Sequence, residues 1–172
     1  MASILTLRPV ESSLARSHLP SMLPRQLAGH AVCPRQLRIP FSSVTMHPHM
    51  DALHNTVPPR RSTLTQWLVI YAAGAAANVV WQNFAWDEAW TRGGAADLDN
   101  ILRHSRPYVR NEADFTNIVH AAEEHAVKLL REHERDVETV ARHLLESRSL
   151  TRDLMNSRIA DAHRLEPYLD GS

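Results

Sequence analysis

What this 172-residue chain has little of narrows its chemistry first. It contains one cysteine, Cys33, which excludes both an internal disulfide framework and a paired-cysteine zinc site. It has five glycines and a single lysine, Lys128, standing in a glycine-free stretch. A phosphate-cradling loop needs a lysine beside its glycines, so no P-loop ATPase is encoded. Net charge is also absent, because 19 basic and 19 acidic residues cancel. Proteins that coat nucleic acid carry a basic excess, and no nucleic-acid partner is expected here. No sustained apolar segment followed by a small-residue cleavage site opens the chain, so no secretory signal is read. The length suits one domain with its own core.

The neutrality is the sum of two opposite halves. Residues 1–61 carry seven arginines against two acids, Glu11 and Asp51, while residues 62–172 carry twelve bases against seventeen acids. Eight of the ten prolines fall in the first 59 residues. Residues 1–24, bearing serine and arginine and broken by Pro9, Pro20 and Pro24, read as a disordered or transit-like tail. The folded domain is expected over residues 25–172. From Arg25 to Pro59 prolines recur too often for long helices, and Ile39–Met46, with β-branched Val44 and Thr45, reads as one or two short strands.

Ser62 to Trp86 is 25 residues without a charge. A membrane-spanning helix needs about 20 mainly apolar residues, so the segment is long enough. Its centre, however, is alanine and glycine, and Gln66, Asn78, Gln82 and Asn83 interrupt it. A buried core helix has the same composition and is the preferred reading. Arg92-Gly93-Gly94 reads as a turn, and Ala95–Arg106 as a short helix stopped by Pro107. Asn111 is a candidate N-cap with Asp114 in the first turn behind it. Apolar residues then recur at three- and four-residue steps from Phe115 to Leu145, with a slip of phase near Arg131–Arg135, which predicts two amphipathic helices. A last helix is expected around Leu150–His163. The fold class is α+β and predominantly α-helical, with a small N-terminal β element.

Eleven histidines invite a metal test by spacing. There is no HExxH and no HxxEH. His120 and His125 stand five apart, about 140° around a helix, which is poor for one ion. His120, His125, His133 and His143 are therefore read as a solvated or core-edge helix face.

The segment Gln26-Leu27-Ala28-Gly29-His30-Ala31-Val32 resembles the HEAGHAV helix of FtsH-type zinc metallopeptidases. Three further elements follow in that family's order. Ala73-Gly74-Ala75-Ala76-Ala77-Asn78 is similar to its buried helix with an AGxAAE core, and Gly93-Gly94-Ala95-Ala96-Asp97-Leu98 to its GASNDL-type element. Residues 126–150, AVKLLREHERDVETVARHLLESRSL, resemble its terminal helices. The resemblance implies a metallopeptidase-like helical domain, with His30 as the second histidine ligand of Zn(2+) and Asp97 as the carboxylate ligand. Gln26 then occupies the first ligand position, Leu27 that of the general base, and Asn78 that of a structural glutamate.

Two of those replacements bear on chemistry. In an HExxH helix the histidines at i and i+4 share one face and reach one zinc, which normally keeps three protein ligands and a water. Glutamine offers only a neutral oxygen. The glutamate activates the water, and leucine cannot; loss of a general base costs about 10²–10⁴ in rate. The resemblance therefore implies a stand-alone homologue of a zinc endopeptidase, without an ATPase module of its own, that binds zinc weakly or not at all and is catalytically impaired. Its partner would be a peptide or an unfolded protein segment, its location the cytoplasm, and a homo-oligomer is compatible with the family. One alternative is an active zinc peptidase whose N-terminus before Ala28 is misassigned. Another is a small membrane-anchored interaction protein, membrane-associated or organellar, that uses Ser62–Trp86 as its span.

Overall fold

A computed structural model describes residues 13–46, 52–55 and 63–169, with side chains placed for residues 23–46 and 63–164. The centre of the fold is the uncharged run. It forms helix α2, Leu64–Gln82, packed between α1, Ser13–Gln36, and α5, Glu112–Glu132. Among the described residues α2 is the single helix long and apolar enough to cross a membrane, and most of it is buried inside the fold. Trp67, Ile70 and the run Ala72–Ala77 are all buried. Alanine and glycine are what such a position requires, because small side chains let neighbouring helices close in on two sides. At the α1–α2 crossing, a Cβ added to Gly29 would lie 2.9 Å from the Ala73 carbonyl oxygen, so this approach admits only glycine.

The extent of α1 differs from the sequence expectation. Prolines predict no long helix beyond Arg25, yet α1 runs unbroken to Gln36 through Pro34, and it starts at Ser13 within the stretch read as a tail. Tertiary burial outweighs propensity here. Leu27, Ala28, Ala31, Val32 and Cys33 are all buried against α2 and against α6, Glu134–Ser147.

The β element is a three-stranded antiparallel sheet in the order β2–β1–β3. Strand β1, Phe41–Thr45, falls inside the predicted stretch, and its alternation buries Phe41 and Val44. Strands β2, Ala52–Asn55, and β3, Ser149–Thr151, go beyond that expectation. They place Leu53 and Leu150 on either side of Val44.

After α2 the chain turns at Asn83, which takes the left-handed conformation of a helix C-cap (φ 55°). The short helix α3, Trp86–Ala89, leads into a wide turn, Trp90–Gly94, and then α4, Ala95–Ser105. The expected Arg-Gly-Gly turn lies here, and Gly93 at φ 136° adopts a backbone that only glycine holds without strain. Asn111 caps α5 as read, its Oδ1 accepting the Asp114 backbone N–H at 2.9 Å. The slip of phase is real too: α5 ends at Glu132, His133 leaves helical geometry, and α6 starts at Glu134.

Helix α7, Arg152–Leu169, returns to the end of α1 through one buried carboxylate. Asp136 on α6 accepts Arg35 Nη1 and Gln36 Nε2, each at 3.2 Å, and His163 Nε2 at 2.7 Å. Arg35 Nε also donates to Asn156 Oδ1 at 2.9 Å. Three helices thus meet on a carboxylate that is engaged at both of its oxygens.

Candidate site at His30 and Asp97

Helices α1, α2 and α4 converge on His30. Its Nδ1 lies 2.9 Å from the Ile70 carbonyl oxygen on α2. A carbonyl only accepts, so Nδ1 carries the proton and Nε2 is the nitrogen left to face outward. Nε2 lies 3.3 Å from Asp97 Oδ2, in the first turn of α4. The room for the ring comes from Gly74, where an added Cβ would collide with Nε2. Gln26, one helical turn before His30, brings its side-chain amide against Gly93, 3.2 Å from where a Cβ would be. Of the residues assigned to the site by resemblance, His30 and Asp97 therefore meet, and Gln26 lies against the turn that leads into α4. Leu27 does not join them; it is 4% exposed and packed in the apolar core.

Burial works against an imidazolium at His30, but the Asp97 charge, the hydrogen bond to Asp97 and the Ile70 carbonyl outweigh it, and the pKa is raised above 6.5. With Nδ1 already donating, a second proton on Nε2 is what turns the 3.3 Å approach into an ion pair. A group with a raised folded pKa contributes stability below its unfolded pKa and loses it as pH rises through the folded value. NMR titration should place His30 above 6.5, and in Asp97→Asn it should fall, because the negative charge that opposes burial most strongly is then gone. An unchanged value in that variant would show that the pair is not ionic.

Several neighbours were invisible in the sequence. Tyr71, one residue beyond the Ile70 carbonyl, stacks on His104 of α4 with centroids 5.7 Å apart and planes 7° from parallel. Burial raises the Tyr71 pKa, with Arg103 opposing and Asp97 adding to the rise. Burial, then Arg103, lowers that of His104, which favours its neutral form. Cys33, one turn along α1 from His30, is buried, which pushes its thiol far up and leaves no thiolate for nucleophilic chemistry.

Zinc can be tested against these donors. Two ligands at about 2 Å from a tetrahedral ion lie about 3.3 Å apart, the separation seen between His30 Nε2 and Asp97 Oδ2. The third corner fails. Among the described residues no group of three His, Cys, Asp or Glu side chains is placed to hold a metal. His47 and His49 lie outside the described residues. His120, His133 and His143 instead pair with Glu123, Asp136 and Glu146, as expected of helix-face histidines. The donors among the described residues, His30 and Asp97, are one short of the three protein ligands that a catalytic zinc takes.

Gly74 gives the direct structural check. In Gly74→Ala the new methyl occupies the ring's position, and α1 can back away only by opening its tight crossing at Gly29. We expect loss of the His30–Asp97 contact and a destabilisation of about 1–3 kcal/mol, read by urea unfolding and by the His30 ring signals. A variant as stable as the parent with those signals unmoved would contradict the packing described.

Comparison with protein-family models gives no match, and comparison with curated proteins gives none either.

Proposed function

We propose that this chain is a stand-alone homologue of FtsH-type zinc metallopeptidases whose catalysis is disabled, and that it holds an extended peptide or unfolded segment without cutting it. The observation that carries this reading is the convergence of His30 and Asp97, remote in sequence, at 3.3 Å beside Gln26, with Leu27 turned into the core. The order of the four sequence elements supports the same reading. A helix presenting i and i+4 side chains to a carboxylate on another helix is the arrangement that a peptidase centre needs. On this reading the His30–Asp97 half of that arrangement is kept, while the first ligand and the base are replaced. What remains is a histidine–carboxylate pair, a neutral amide and the Tyr71–His104 stack, which offer hydrogen-bonding groups to a peptide backbone and no means of activating water. Burial of α2 against α1 and α5 favours its role as a core helix over that of a span. The cytoplasm is the compartment proposed with this reading.

The test is binding separated from cleavage. Fluorescently labelled, unfolded casein should bind the purified full-length chain, and the label should stay on intact casein after prolonged incubation with added zinc. Cleavage by the wild-type chain, or no binding at any concentration, would overturn the proposal.

A further inference from the structure

We infer that Glu123 is a positioning residue for the His30–Asp97 pair, acting through Trp90. This rests on the geometry of the pair and stands whether or not the site takes a peptide. Asp97 sits in the first turn of α4, so its place is set by the turn Trp90–Gly94 that delivers the chain into that helix. Gly94 is pressed between two surfaces. A Cβ there would lie 2.7 Å from Trp90 Cε3 and 3.2 Å from Ala75 Cβ on α2. The indole of Trp90 is therefore one jaw of the clamp that holds the start of α4 against α2.

The orientation of that indole comes from α5. Trp90 Nε1–H donates to Glu123 Oε1 at 2.7 Å, and both residues are buried. A buried bond to a carboxylate is among the stronger kinds, and breaking it leaves an indole donor without a partner. The other oxygen, Oε2, lies 2.8 Å from His120 Nδ1, whose side chain is 66% exposed. Glu123 thus joins a surface histidine to the buried turn, and its carboxylate is satisfied from both ends. A helix-face carboxylate with a histidine three residues before it ordinarily points to solvent. This one points inward, onto the ring that shapes the approach to Asp97.

The test uses the full-length chain and site-resolved hydrogen exchange. In Trp90→Phe an aromatic ring is kept but the donor and part of the indole are lost; in Glu123→Leu the whole indole stays and only its acceptor is lost. Both should speed exchange of the Asp97 and Leu98 amides and of the His30 Nδ1 proton about tenfold or more. Amides of Leu130, Val137 and Val140, in the α5–α6 core, should keep their parent rates. Glu123→Gln retains an oxygen for the indole and should restore most of the protection. His120→Ala leaves the Trp90 bond in place and should affect the pair less than Glu123→Leu does. Uniform acceleration across α4, α5 and α6 would reduce Glu123 to a general stability residue and overturn the inference. Unchanged exchange at Asp97 in folded Trp90→Phe would overturn it as well.

Discussion

Changing Gln26 to histidine and Leu27 to glutamate together should make the stability of the chain depend on zinc. The imidazole introduced by Gln26→His and that of His30 would stand at i and i+4 on one face of α1, with Asp97 already 3.3 Å from His30 Nε2. That completes three protein ligands and leaves the fourth corner for water. The second change has a structural cost, because Leu27 is 4% exposed in the apolar core. A glutamate placed there without a metal is a buried carboxylate lacking a partner, and we expect the metal-free variant to be less stable than the parent by about 3 kcal/mol. Zinc at about 100 times its dissociation constant should return about 2.7 kcal/mol, since it binds only the folded form. Position 27 faces the core and not the pair, so the introduced glutamate supplies a base only by swinging out of the core toward the metal-bound water. Zinc-dependent turnover in the double variant, about 10²–10⁴ above that of Gln26→His alone, is the signature of that swing. Urea unfolding with zinc and with chelator reads the first part, and casein hydrolysis the second. A double variant indifferent to zinc would show that α1 does not present positions 26 and 30 to Asp97 as described.

The other large effect is expected far from that site. Asp136→Ala removes the carboxylate on which α1, α6 and α7 converge. Arg35 and Gln36 lose a shared acceptor at 3.2 Å, and His163 loses one at 2.7 Å. Breaking a buried pair from one side costs about 3–5 kcal/mol when the stranded charge stays buried. The Arg35 side chain is 30% exposed and recovers part of its hydration, so a loss of about 3 kcal/mol is expected. Asp136→Asn keeps one acceptor oxygen and should lose less. The separation between the two variants in urea unfolding isolates the charge. Equal stability of Asp136→Ala and the parent would mean that α7 is held without the carboxylate, by Met155, Ile159 and the Arg35–Asn156 and Arg135–Ala162 hydrogen bonds.

Much of the architecture is legible in the residues themselves. The uncharged run marks α2 because a helix buried along most of its length has no charged face to show. Asn111 and the slip of phase at His133 mark helix boundaries because capping and periodicity are local properties. The parts that escape depend on distant partners. Helix α1 carries prolines that argue against it, and it exists because its apolar side chains are buried between α2 and α6. Strand β3 is three residues long and has no signature apart from its pairing with β1 around Val44. The site divides in the same way. Gln26, His30 and Asp97 come together on paper from a family resemblance rather than from spacing. The Ile70 carbonyl that sets the tautomer of His30 is backbone, and no residue type announces it. The burial of Leu27 is equally hidden, since one leucine on a small-residue helix faces a core or a cleft with equal ease.

The most direct measurement is of the unaltered full-length chain: zinc content after equilibrium dialysis, taken alongside hydrolysis of unfolded casein on the same preparation. A centre reduced to His30, Asp97 and a neutral amide predicts far less than one zinc per chain, unfolding that is the same with and without chelator, and casein that is bound but intact. One zinc per chain together with zinc-dependent cleavage of casein would contradict it, because both require a third ligand and a base that the described residues do not provide.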